Sequence, residues 1–446
     1  MDLQDIVSTL IAFALGFALM LVVDRRFAGR ERLILWLAFS SHVLAALAMV
    51  WITVEILGGG DIRAYYMFGA PLADAIRADI VNVLPDVVRM IFHDRVPLPV
   101  PVHGQGSATG AMFGLASLTF LLIGNSLYGA CMAISMACFF ARVLIFRVMC
   151  DYVESHERVP VAVACLLVPS VSFWCSGLLK ESFAFCGLAL LFAGVSGLMQ
   201  RRAPLRPILA VIAGAALAGV VKPYVLMPAS IGIGAWLYAS LTRSGSPLRS
   251  VWALPLTAAF GMVMVLAIGE VFPRFAFANL PEETLAIQTM YQYRTTATST
   301  IVLFDPMDVA PERGFAAQLV YAPLAVLTAL FRPAVFDVKN AQMAVNAAEA
   351  TLFALFFGLA FLRNGVRRLL QAIFERPILA FCTLFVIGMS LGVGMVVSNL
   401  GSISRYHTPM MPFFAVALAL TYRRLERVAS DERARNSELR LRSRLA

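Results

Sequence analysis

A lysine and a glutamate stand side by side between two long apolar runs, in Phe173-Trp174-Cys175-Ser176-Gly177-Leu178-Leu179-Lys180-Glu181-Ser182. Charge at such a boundary is costly unless it meets water, an opposite charge or a substrate. A lysine ammonium binds a phosphate as a point charge, and the neighbouring Glu181 can hold that ammonium or a divalent metal. The plain alternative is a mutual interfacial salt bridge with a snorkelling lysine stem. Lysine is scarce here, three against 33 arginines, so it is not the routine topology marker of this chain.

Three more polar islands interrupt the apolar pattern. Asp61 follows Gly58-Gly59-Gly60 and precedes Tyr65-Tyr66. A carboxylate there can take a proton from an attacking hydroxyl; it also suits the N-cap of a helix starting at Ile62. Lys222-Pro223-Tyr224 puts a cation where it needs an anionic partner; a kink with an interfacial anchor is the alternative. Arg405-Tyr406-His407 opens the last apolar run with Pro409 and Pro412. Arginine suits bidentate phosphate contact, and a lone interfacial arginine on a lipid head group is the competing explanation. Of the five histidines (42, 93, 103, 156, 407), His407 is the one placed for a site, and none has metal-ligand spacing. Tyr291, Arg294, Asp305, Asp308 and Glu312 are further polar groups in a long loop. No Walker A, dinucleotide or nucleophile-elbow motif occurs.

The elements that position these groups are spans. The chain is 60% hydrophobic and 14% charged, with a mean hydropathy of +0.80. That composition excludes an ordinary soluble domain and implies an all-α polytopic membrane protein. Alternating patterns of a transmembrane barrel are missing. The first run, from Leu3, has Asp2 and Asp5 and no basic n-region, so it suits a first span better than a cleaved signal. The net charge of +9 is read as topology, not as nucleic-acid binding. Eight arginines against four acids give the tail 423–446 four of those charges, which suits a cytoplasmic tail on anionic lipid. Seven scattered cysteines (131, 138, 150, 165, 175, 186, 382) form no disulfide framework and read as small buried hydrophobes.

Placing the basic clusters at 24–32, 201–206, 243–249, 363–376 and 423 onward in the cytoplasm fixes the threading. The regions 58–107, 173–182, Lys222-Pro223-Tyr224, 273–342 and 399–407 then lie outside, and about 11 spans (10 to 13) are expected. Spans are expected near 182–200, 207–221, 224–241, 252–272, 343–362, 377–398 and 408–422. One of the runs 109–123, 126–147 and 159–174 must fail to cross, because only an even number of crossings returns Lys180 to the outside. The first external loop holds a juxtamembrane amphipathic helix: Leu72, Ile76, Ile80, Val83, Val87 and Ile91 recur at helical spacing, with a kink expected at Pro85. Two units follow, a multi-span domain 1–422 and the basic tail 423–446.

These residues resemble the GT-C superfamily of membrane glycosyltransferases, in its protein O-mannosyltransferase and aminoarabinose transferase flavour. The resemblance rests on Asp61 in the first external loop, the helix 72–91 after it, the turn from Pro169 to Ser182, Lys222-Pro223-Tyr224, and Arg405 to Pro412. It covers about residues 33–422. It departs in an extra leading span, in having no external C-terminal domain, and in lacking the paired acid near Asp61. The resemblance implies a polyprenyl-phosphate-linked sugar donor and chemistry on the outer face of the membrane; the absence of Asn-x-Ser/Thr sequons and the excess of arginine over lysine point to a bacterial inner membrane. The acceptor would be a lipid, a glycan or a protein. Asp61 would act as catalytic base. Lys180, Lys222 and Arg405 would bind the donor phosphate, supported by Glu181, Tyr65, Tyr224, Tyr406 and His407. No cofactor is required by it, and a divalent metal stays open. Two alternatives remain: a polysaccharide polymerase or O-antigen-ligase-like enzyme, and a lipid-linked saccharide transporter. For the transporter, Glu55, Arg142 and Glu349 lie in or near spans, where span-end or interhelical pairs would account for them.

Overall fold

The computed structural model describes residues 2–56, 58–243, 247–273, 276, 278–294, 314–339, 341–397 and 399–422. Among these residues there is no β-strand, and seven helices are long and apolar enough to cross a membrane. Five shorter apolar helices accompany them. The expected tail 423–446 and Asp305, Asp308 and Glu312 lie outside the described residues, as do the side chains of Tyr291 and Arg294.

Two helices long and apolar enough to cross a membrane come first, α1 (Leu3–Asp24) and α2 (Gly29–Trp51), the second prolonged by a π-helical turn to Ile56. Two amphipathic helices follow, α3 (Asp61–Ala78) and α4 (Ile80–Ile91). The expected kink at Pro85 is not where the chain bends. Pro85 sits inside α4, and the break falls at Asp79. The Asp79 carboxylate accepts the Asn82 N–H, so it caps a new helix in place of continuing the old one.

Next come α5 (Ala108–Ile123) and α6 (Leu127–Cys150). The 16 residues of α5 make a rod of about 24 Å, short for a span. Its last carbonyl, on Ile123, accepts the Ser8 hydroxyl at 2.8 Å, at the start of α1. Its first turn meets Lys180 through Thr109, at 3.0 Å. Both ends of α5 thus lie at the end of the bundle where α1 begins. Of the three runs, 109–123 is the one whose helix has both ends on this end of the bundle, the geometry expected of a run that does not cross. The run 159–174 returns as a broken pair, α7 (Arg158–Leu166) and α8 (Pro169–Trp174).

Two tightly packed helices then carry charge to the same end, α9 (Lys180–Met199) and α10 (Leu205–Val221). A Cβ on Gly187 of α9 would fall 2.6 Å from the Ala218 backbone nitrogen of α10. Only glycine allows that approach, the small-residue packing on which helices in lipid depend. It fixes the start of α9 against the end of α10, and so Glu181 against Lys222. The remaining helices are α11 (Leu226–Arg243), α12 (Pro247–Val271), α13 (Leu280–Arg294), α14 (Gly314–Leu319) and α15 (Ala322–Phe331). After them come α16 (Ala341–Glu375), α17 (Pro377–Val396), α18 (Leu400–Tyr406) and α19 (Met411–Thr421). Gly365, at φ 69°, bends α16 just after Arg363, where the expected span 343–362 ends.

Basic connections gather at the opposite end. Arg202 meets Asp151 at 3.1 Å, and Arg376 forks onto Glu157 at 2.8 and 2.5 Å. Phe27, between α1 and α2, stacks on Phe146 near the end of α6, with ring centroids 5.7 Å apart. The molecule therefore has a basic end and an end bearing the polar islands. In a cysteine-free background, Gly59→Cys and Arg202→Cys are expected to react with a membrane-impermeant maleimide from opposite faces. Labelling of both from one face would overturn this threading.

Candidate functional site

Four segments deliver charge to one place. Gly60 precedes α3 with φ 109° and Gly58 has φ 60°, backbone that glycine adopts readily and L side chains rarely do. The turn presents Asp61 as the first residue of α3. The sequence allowed Asp61 as an N-cap for a helix starting at Ile62, and the structure corrects that. Gly60 occupies the cap with no side-chain bond, and Asp61 is the first residue of the helix. Its carboxylate accepts from Arg405 Nη1 at 2.6 Å, across 344 residues of sequence.

Glu181 is the centre of the cluster and is fully buried. Its Oε1 accepts from Lys222 Nζ at 2.6 Å. Arg405 Nε stands 2.8 Å from the same oxygen, as an ion pair out of line for a hydrogen bond. Lys222 also donates to the Tyr224 hydroxyl at 2.9 Å, and its ammonium lies 3.9 Å from the centre of the Tyr406 ring. An ammonium over a ring face is attracted by the ring quadrupole. Glu181 Oε2 is buried without a hydrogen-bond partner among the described residues.

Lys180 and Glu181 do not form the mutual salt bridge the sequence allowed. Adjacent residues on a helix point in different directions. Lys180 reaches instead for Thr109 of α5 at 3.0 Å, within the field of Asp61, Glu181 and Arg405. Nothing in the sequence marked Thr109, since its place depends on α5 lying along one end of the bundle. Tyr65 is buried beside the cluster, its ring 5.7 Å from that of Phe113. His407 does not join the site. It is buried two residues beyond Arg405 and bonds to the Ala329 carbonyl at 3.0 Å.

Lys222 and Arg405 pair with the two carboxylates, Asp61 and Glu181, and Lys180 lies within their field, so the group carries one excess positive charge. Burial disfavours charge on Arg405, but Glu181 and Asp61 outweigh it and raise its pKa. Burial pulls the Lys222 ammonium below the usual lysine range, against the attraction of Glu181. Burial, with the Asp61 carboxylate next, pushes the Tyr65 hydroxyl well up, so Tyr65 stays a neutral donor. No group of three or more His, Cys, Asp or Glu stands together as a metal cage among the described residues.

Comparison with protein-family models, with curated proteins and with solved structures found no match to this chain. Fold and site define an α-helical protein whose apolar helices suit a membrane, with a buried ion cluster at one end of the bundle.

Proposed function

We propose that the protein is an integral membrane glycosyltransferase. It moves a sugar from a polyprenyl-phosphate-linked donor to a hydroxyl acceptor, at the outer face of a bacterial inner membrane. The observation that carries this reading is the cluster itself: Lys222 and Arg405 pair with two carboxylates from segments far apart in sequence, Lys180 stands beside them on Thr109, and one of the carboxylates is half exposed. Excess positive charge at that depth suits the phosphate of a lipid-anchored ligand. Neighbouring cations, one of them a planar guanidinium, suit the charge that grows on a departing phosphate.

In this reading the acceptor oxygen attacks the anomeric carbon as the bond from that carbon to the phosphate oxygen breaks. The bonding pair leaves with the polyprenyl phosphate, held by Arg405, Lys222 and Lys180. The hydroxyl proton passes to Asp61, and a single displacement inverts the anomeric centre. The donor phosphate competes with Asp61 for Arg405, so donor binding releases the carboxylate to act as base. Gly58 to Gly60 have open space around them, which permits that movement. Glu181 keeps its hold on Lys222 and Arg405 throughout.

The test is sugar transfer from a polyprenyl-phosphate donor by the purified protein in nanodiscs. Arg405→Ala is expected to lower kcat on the order of 10²-fold or more, as loss of one charge-stabilising donor does. Arg405→Lys should recover only part, because a point charge does not reproduce the planar fork. Full activity of Arg405→Ala would remove the phosphate role. Transfer of preassembled oligosaccharide chains with no single-sugar transfer would favour a polymerase.

A further inference from the structure

The run 159–174 is broken inside the bundle, between Leu166 and Pro169, and both halves of the break are held by charged side chains. Pro169 disfavours helical backbone at Val168, which sits at φ −64°, ψ 116°. The break strands carbonyls at the end of α7 and an amide at the start of α8, and unsatisfied backbone groups in lipid are costly. Arg142 of α6, fully buried, donates from Nε to the Cys165 carbonyl at 2.8 Å and from Nη2 to the Val168 carbonyl at 3.3 Å. Its Nη1 donates to the Ser172 hydroxyl at 2.7 Å. On the other side, Glu349 of α16 accepts the Ser170 N–H at 2.8 Å and the Ser170 hydroxyl at 2.6 Å. A cation at a helix C-terminus and an anion at a helix N-terminus each complement the local dipole.

The clamped segment leads directly to the charge cluster. Ser176 bonds to Ser135 of α6 at 2.7 Å. Gly177 lies so close to Ile62, the neighbour of Asp61, that a Cβ there would fall 2.9 Å from Ile62 Cδ1. Lys180 and Glu181 follow three and four residues later. We infer that Arg142 and Glu349 are positioning residues: by clamping the break between α7 and α8 they hold Lys180 on Thr109 and Glu181 on Arg405 and Lys222. The role in ligand binding rests on the phosphate-site reading above, whereas the clamp itself does not.

The experiment uses the full chain in nanodiscs with Arg142→Gln, Arg142→Lys, Glu349→Ala and Glu349→Gln. Three quantities are read: hydrogen exchange of peptides covering 167–181 against those of α17, amine labelling of Lys180 against Lys339, and binding of a polyprenyl phosphate. Arg142→Gln and Glu349→Ala should each speed exchange in 167–181 about tenfold or more, with α17 unchanged. Lys180 should label faster, and polyprenyl phosphate should bind about tenfold more weakly. Arg142→Lys and Glu349→Gln, which keep a donor or an acceptor, should fall between. If the harsher variants exchange everywhere, these two conservative ones decide. Unchanged exchange in 167–181, or faster exchange with unchanged Lys180 labelling, would overturn the inference. If the wild type binds no polyprenyl phosphate, the donor reading falls, and exchange and Lys180 labelling alone judge the clamp.

Discussion

Asp61→Asn is expected to lower sugar transfer by about 10²–10⁴-fold while leaving a folded protein, because it removes the base and keeps its shape. The half-exposed Asp61 carboxylate can be neutralised at little cost to stability, because Arg405 keeps the buried Glu181 as its counter-ion. The same variant separates two effects. The neutral amide no longer competes as an anion for Arg405, so donor affinity should hold or improve while kcat falls. An acceptor with a more acidic hydroxyl, which needs less help from a base, should recover most of the loss. Near-normal kcat in Asp61→Asn would reduce Asp61 to a counter-ion for Arg405 and sink the base assignment.

Glu181→Ala should be the most damaging change to stability. Glu181 is fully buried and faces two cations, Lys222 and Arg405. Removing one partner of a buried ion pair leaves uncompensated charge and costs about 3–5 kcal/mol. Glu181→Gln keeps an oxygen for Lys222 and should cost less. Pairing Glu181→Ala with Lys222→Met removes one stranded charge, so the double variant should be more stable than the sum of the two single losses. Denaturant titration in detergent micelles measures the four variants against the wild type. Strict additivity would mean that Glu181 and Lys222 do not support each other.

Much of this site was legible because charge in an apolar sequence is conspicuous. Asp61, Lys180, Glu181, Lys222 and Arg405 stand out where nearly everything around them is hydrophobic, and the cost of burying them says that each must find a partner. Which partner could not be read. Glu181 pairs with Lys222, 41 residues away, only because glycines let α9 and α10 touch. Lys180 finds Thr109 only because α5 stays at one end of the bundle. Helix ends were similarly half visible. The periodicity of 72–91 showed an amphipathic stretch, but proline drew attention to position 85, whereas the Asp79 side chain ends one helix and starts another. His407 was singled out by its nearness to Arg405 in sequence. Two residues on, the chain has turned and the ring faces Ala329. Span-end or interhelical pairs are the sequence reading of Arg142 and Glu349; Pro169 marks the break, but not which distant side chains satisfy it.

The segment from α3 to α5 departs from one end of the bundle and returns to that same end, so it is neutral in the parity of the chain. Lengthening it, shortening it or exchanging it for another sequence that also returns would leave the orientation of every later span unchanged. Lys180, Lys222 and Arg405 belong to the part that must keep its threading, whereas Asp61 sits at the first residue of the exchangeable part. Such a division would let the segment after Asp61 accept insertions as well as substitutions without re-threading the helices that hold the cations.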